Sequence, residues 1–259
     1  MLSFFDCNTF IGKSARPWPR SFHKKDELLS EMDRFGIDEA IVFHIAARDV
    51  HFTTGNELLM KEIDGEDRLH GSWVLPLHHA VEVPEPGETI KTMVESGVKA
   101  VRIYAPVYSS YMVEPWACGQ LFEALQRHRV PVLLPNSEIG RFPDEKVVGF
   151  SAQNIYDLCR RYPELPFIVV KANYSSMRII YPMLRDCPNL HLEISYWTAH
   201  RGLEFVCKNF GAGRMVFGTG MPMNNPGAAL MMVRYEDISE TDRQLIAGKN
   251  LTKMLRGVK

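Results

Sequence analysis

Short apolar runs rich in Val, Ile and Leu recur along the chain, and between them lie stretches whose apolar residues return every three to four positions. The runs fall at 3–10, 39–46, 69–77, 99–106, 130–136, 166–173, 189–196 and 214–219 and read as buried strands. The intervening segments have the period of a helix buried on one face. Ile155, Leu158, Cys159 and Tyr162 form one stripe, and Leu203, Val206, Cys207 and Phe210 form another. A third stripe, Leu28, Leu29, Met32 and Phe35, stops at Gly36, a residue suited to the left-handed turn that ends helices. Ser151 and Ser175 are expected to cap helix N-termini, and Ser239-Glu-Thr-Asp242 to open a last helix running through Leu255. The stretches 78–89, 107–115 and 137–150 read as loops that follow strands.

Strict alternation of strands and helices implies parallel strands, and eight of them suggest a closed (β/α)8 TIM barrel of the α/β class. The whole chain, 1–259, suits one such domain. An open doubly wound sheet is the alternative, but no Gly-x-Gly-x-x-Gly follows any strand. In a barrel the functional residues belong at the C-terminal ends of the strands.

Composition narrows the partners. A net charge of -1 gives no broad attraction to nucleic acid or to an anionic membrane, and no apolar run is long enough to span a bilayer. The five cysteines are scattered, without zinc spacing, as reduced thiols in a cytoplasmic protein would be; Cys159 and Cys207 read as packing residues. The opening Met-Leu-Ser-Phe-Phe-Asp lacks the basic and apolar regions of a signal peptide.

Two motifs carry a resemblance. Arg214-Met-Val-Phe-Gly-Thr-Gly-Met-Pro222 is a strand running into a glycine turn, and Phe5-Asp-Cys-Asn-Thr-Phe-Ile-Gly12 opens the chain. They resemble the last and first strands of the amidohydrolase superfamily, in its amidohydrolase-related branch of hydrolases, lactonases and decarboxylases. The tail from Ile238 to Leu251, with its Ile-x-Gly-x-Asn, is similar to that family's closing helix. The resemblance implies the barrel and a small-molecule ligand, with a homo-oligomer as family habit. It would place metal-holding histidines at Asn8 and Phe10 and a catalytic Asp at Gly220. The fifth and sixth strands would each end in His, yet they offer Pro135 or Asn136, and Lys171, Ala172 or Asn173. Asn is a poor zinc ligand and Phe cannot be one. The expectation is therefore a degenerate metal site, no cofactor, and metal-independent chemistry.

With Asn8 and Phe10 set inward, strand alternation orients the rest. Val101, Ile103 and Ala105 suit the helix side, which turns Arg102 and Tyr104 inward; Leu192 and Ile194 likewise leave His191, Glu193, Ser195 and Trp197 inside. In the sixth strand Ile168 and Val170 are expected to face out and Lys171 and Asn173 in, with His44 and His78 joining from the second and third strands. Arg102, Lys171 and Glu193 in one barrel must pair or meet ligand, and the guanidinium fork of Arg102 suits a carboxylate. His78-His79 and His200 lie on the same face and suit acid–base work; His23, His51, His70 and His128 need only surface or capping roles.

These readings lead to a hydrolase of a small, carboxylated molecule, with His200, Lys171 and Glu193 as catalytic candidates. Asn8, Phe10, His44, His78, Arg102, Tyr104, Asn136, Asn173, Trp197 and Gly220 are the expected ligand-binding residues. Two alternatives stay open. One is a Schiff-base lyase using Lys171; the other is a pseudoenzyme that binds a small ligand without turning it over.

Overall fold

A computed structural model describes residues 2–15, 21–77, 84–104, 113–135 and 150–259. Among them eight strands form one parallel sheet in the order β1-β2-β3-β4-β5-β6-β7-β8. They are β1 (Phe5–Ile11), β2 (Glu39–His44), β3 (Leu69–Leu75), β4 (Ala100–Ile103), β5 (Val132–Pro135), β6 (Phe167–Val170), β7 (Leu190–Glu193) and β8 (Met215–Val216). Seven of the expected eight runs contain one of these strands, and the first, 3–10, overlaps β1, which runs one residue further to Ile11.

The helices between them are α1 (Lys25–Phe35), α2 (Ala46–Asp49), α3 (Phe52–Glu62), α4 (Pro86–Glu95), α5 (Pro115–His128), α6 (Ala152–Arg161), α7 (Met177–Asp186) and α8 (Gly202–Phe210). After β8 follow α9 (Gly227–Tyr235), α10 (Glu240–Gln244) and α11 (Asn250–Arg256), the last two joined by a π turn over Leu245–Lys249. No helix among the described residues is long and apolar enough to cross a membrane.

Backbone bonds complete the round. Cys7 N–H donates to Phe217 O at 3.0 Å, Phe10 N–H to Met221 O at 3.1 Å, and Gly220 N–H to Asn8 O at 2.9 Å. The result is a (β/α)8 barrel, whose cylinder leaves no long sheet edge to solvate.

Local chemistry explains most boundaries. Gly36 ends α1 at φ 70°, with its N–H bonded to Met32 and Asp33 carbonyls. The Ser151 hydroxyl accepts from Asn154 N–H, and Ser239 does the same for Asp242 N–H, so both cap as expected. Ser175 does not. It lies inside a 3-10 turn, Tyr174–Ser176, and donates its N–H to the Asn173 side chain.

Two apolar layers separate along the strands. Val101, Ile103, Val132, Leu134, Phe167, Val169, Leu192 and Ile194 pack with the helices. Phe5, Cys7, Ile41, Ala100, Leu133, Ile168, Val170 and Val216, drawn from six different strands, meet one another; only the barrel interior allows that. The sixth strand is therefore turned opposite to expectation: Ile168 and Val170 face in. Its residues are apolar on both faces, and alternation alone cannot orient such a strand.

Candidate active site

The polar centre sits above that interior layer, at the C-terminal ends of the strands. A register shift between Asp6 and Thr9 breaks the alternation of β1. Cys7 consequently stays in the interior layer, while Asn8 and Phe10 reach the site above it.

Glu193, at the end of β7, is wholly buried. One of its oxygens, Oε2, accepts from Asn8 Nδ2 at 3.1 Å, Lys171 N–H at 2.9 Å and Ser195 Oγ at 2.9 Å. The other accepts Ser195 N–H. Burial pushes the Glu193 carboxyl above its ordinary range, and these bonds act against that push.

Arg102 projects from β4 and is 2% exposed. Its Nη1 donates to Asn8 Oδ1 at 3.0 Å, its Nη2 reaches Cys7 O at 3.4 Å, and its guanidinium lies 4.4 Å from the Phe43 ring centre. Its Nε–H has no partner among the described residues. Arg102 and Glu193 thus communicate through the amide of Asn8. The arrangement requires an amide: guanidinium offers only donors, ionised carboxylate only acceptors, and Asn presents one head to each.

Asp6 is the second buried carboxylate. It accepts from Asn8 N–H at 2.8 Å and from Thr219 N–H at 3.0 Å, and the Thr219 hydroxyl donates to its other oxygen. Desolvation raises its pKa to about 7, in spite of these bonds, and nearby Glu193 adds to the rise. Asp6 ties β1 to the glycine turn after β8.

In that turn Gly220 has φ 73°, and a Cβ built there would lie 2.6 Å from Asn224 Nδ2. Asn224 is held in place by Tyr196, whose hydroxyl donates to Asn224 Oδ1 at 2.8 Å. The opposite wall is apolar: Phe10, Phe43 and Val74 pack together, with Tyr104 beside Phe43 at 6.2 Å between ring centres.

Several expected site residues lie past the strand ends, in turns. Lys171 contributes its backbone N–H to Glu193; its own backbone is left-handed at φ 59°, and its Nζ stands 6.0 Å from the Tyr196 ring centre. Asn173 holds the 3-10 turn through Ser175 N–H. Trp197 is buried in the helix layer, edge-on to Tyr181 of α7, because Trp197 lies beyond the end of β7 where alternation no longer applies. His200 is exposed in the turn before α8.

His44 packs on Gly12 and accepts Ala46 N–H at 3.2 Å, and burial lowers its pKa. Its neighbour Phe43 is the β2 side chain that meets Arg102. His78 and Asn136 lie outside the described residues.

Asp6, Phe43, Thr219 and Asn224 were not anticipated. Asp6 had a signal, as the first polar residue of the opening motif. Among the described residues no three His, Cys, Asp or Glu side chains converge as a metal ion would require.

The amidohydrolase family model matches residues 17–257. The chain belongs to the amidohydrolase family. No curated protein is significantly similar to this amidohydrolase-family chain in sequence. Solved structures resemble it over nearly their full length. A 5-carboxyvanillate decarboxylase from Sphingomonas paucimobilis shares 14% identity at TM-score 0.72, with 100% of each chain covered. A dihydroxybenzoic acid decarboxylase from a Polaromonas species, solved with manganese and the inhibitor 2-nitroresorcinol, shares 17% at 0.73, covering 99% of this chain and 97% of that one. A candidate 2-pyrone-4,6-dicarboxylic acid hydrolase from Pseudomonas putida shares 14% at 0.67, covering 99% and 98%. At such identity these likenesses speak to the fold.

Proposed function

We propose that this amidohydrolase-family barrel is a cytoplasmic enzyme that hydrolyses or decarboxylates a small carboxylated molecule, held by its carboxylate at Arg102. The observation that carries the reading is the state of Arg102: a guanidinium 2% exposed, stacked on Phe43, with its Nε–H unpartnered among the described residues. A buried cationic donor left unsatisfied is costly, and a ligand carboxylate accepting from Nε and Nη2 would relieve that cost. Phe10, Phe43 and Tyr104 would flank a planar ring. Glu193, whose burial raises its affinity for a proton, is the proton carrier of the proposal, with Lys171 and Ser195 holding it in place. The two decarboxylases named above act, by their names, on carboxylated rings, which supports the same class. His200 has no part in the reading, being exposed in its turn.

The test is calorimetric titration with hydroxybenzoates, methoxybenzoates and pyrone dicarboxylates, each beside its decarboxylated analogue, followed by product analysis of any binder. Acids should bind and their decarboxylated analogues should not, and Arg102→Gln should weaken binding by about tenfold or more, as expected for a lost charged hydrogen bond. Equal binding of acid and analogue would refute the carboxylate assignment. A second reading rests on the left-handed backbone of Lys171, a conformation that non-glycine residues adopt mainly under constraint. In that reading Lys171 forms an imine with a keto acid, and borohydride would trap it as a covalent adduct.

A further inference from the structure

We propose that the guanidinium of Arg102 is the resident cation of this site, standing in for the divalent metal that the family resemblance would place here, with Asn8 coupling it to Glu193. The described residues do not suit a metal. Asn8 Oδ1, the one lone-pair donor at its position, accepts Arg102 Nη1 at 3.0 Å, and its Nδ2 faces Glu193 at 3.1 Å. A histidine ligand would turn its lone pair toward the ion, leaving Arg102 without that acceptor.

The other positions agree. Phe10 presents a ring, packed 5.5 Å from Phe43. At Gly220, side-chain space is taken by the Asn224 amide, with Nδ2 2.6 Å from where a Cβ would be. The oxygens of Glu193 already receive Asn8 Nδ2, Lys171 N–H, and both Ser195 N–H and Oγ. An incoming divalent ion would lose to these bonds and be repelled by a fixed positive charge.

The replacement also accounts for what the site retains. Glu193 is wholly buried with its oxygens set as acceptors toward Asn8, Lys171 and Ser195, and such a carboxylate without a nearby cation would be a heavy burden on the fold. Arg102 supplies that charge, and the Phe43 face beneath it favours a cation over a neutral group. In this view Asn8 is the residue that a donor-only cation and an acceptor-only carboxylate both require between them.

Two measurements on the full-length protein test the inference. The first is equilibrium dialysis against manganese or zinc, followed by elemental analysis and a melting curve with and without chelator. Far less than stoichiometric metal and an unchanged melting temperature are expected; a stoichiometric metal, or a melting temperature that falls with chelator, overturns the proposal.

The second compares Arg102→Lys with Arg102→Met. Loss of the cation in Arg102→Met should lower the melting temperature by roughly 10 °C, as removal of one partner from a buried charge network does. Arg102→Lys should recover at least half of that shift. Equal loss in both variants, or none in Arg102→Met, means that the charge is not what Arg102 provides. The inference shares Arg102 and the placement of the site with the proposed function. Failed carboxylate binding beside a metal-free, charge-dependent site sinks the substrate reading alone, whereas a bound metal sinks this one.

Discussion

Asp6→Asn isolates one buried carboxylate whose protonation the fold favours. In the native state Asp6 titrates at about 7, against 3.8 as its ordinary value, with burial as the main cause. A raised acid pKa means that the native state binds the proton more tightly than the unfolded chain. The stabilising contribution is therefore complete below the unfolded value and disappears as pH rises through the folded one.

The difference between the two values, at about 1.4 kcal/mol per unit, corresponds to about 4 kcal/mol lost between pH 4 and pH 8. Asn cannot ionise, so Asp6→Asn lacks that loss, whatever constant penalty it carries for a weaker bond to Thr219. Its neighbour Glu193 feels one negative charge fewer, which acts in the same direction. Urea unfolding of both proteins at half-unit steps from pH 4 to pH 8 gives the difference in stability at each pH. That difference should move in favour of Asp6→Asn by about 4 kcal/mol, most steeply between pH 5 and 7. A difference that stays flat to within about 1 kcal/mol, larger than the extrapolation error, would refute the reasoning.

Other outcomes follow from the same contacts. Glu193→Gln replaces an oxygen that accepts buried N–H and O–H groups with an amide that donates, so urea unfolding should show a loss of about 2–4 kcal/mol. Lys171→Gly removes the left-handed strain at φ 59° and should raise stability by about 1 kcal/mol; if Lys171 serves the reaction, turnover should fall in the same variant. Gly220→Ala meets both a left-handed φ and the tethered Asn224 amide, so its melting curve should reflect a loss of about 1–3 kcal/mol. Gly202→Ala should cost a similar amount, about 1–3 kcal/mol, because its Cβ would lie 2.8 Å from Trp197 Nε1 in the helix layer.

The alternation of apolar runs with helical stripes was sufficient to foresee the barrel, since strand length, helix period and caps such as Gly36 and Ser151 are local properties that a linear chain displays. Arg102 and Glu193 could be oriented from the sequence for the same reason: each is a charge flanked by apolar residues that the helices claim, Val101 and Ile103 for one, Leu192 and Ile194 for the other. The sixth strand offered no such contrast, and its orientation came out reversed. Lys171, Asn173, Trp197 and His200 all lie past the ends of strands, where turn geometry and not alternation aims the side chain. The bridge from Arg102 through Asn8 to Glu193 spans 94 and 185 positions of sequence, so only closure of the barrel could bring those groups within hydrogen-bond reach. Sequence determined which residues are apolar, charged or cap-forming; tertiary structure alone decided which buried charges share a solvent-free centre, because desolvation and hydrogen bonding act through space and not along the chain.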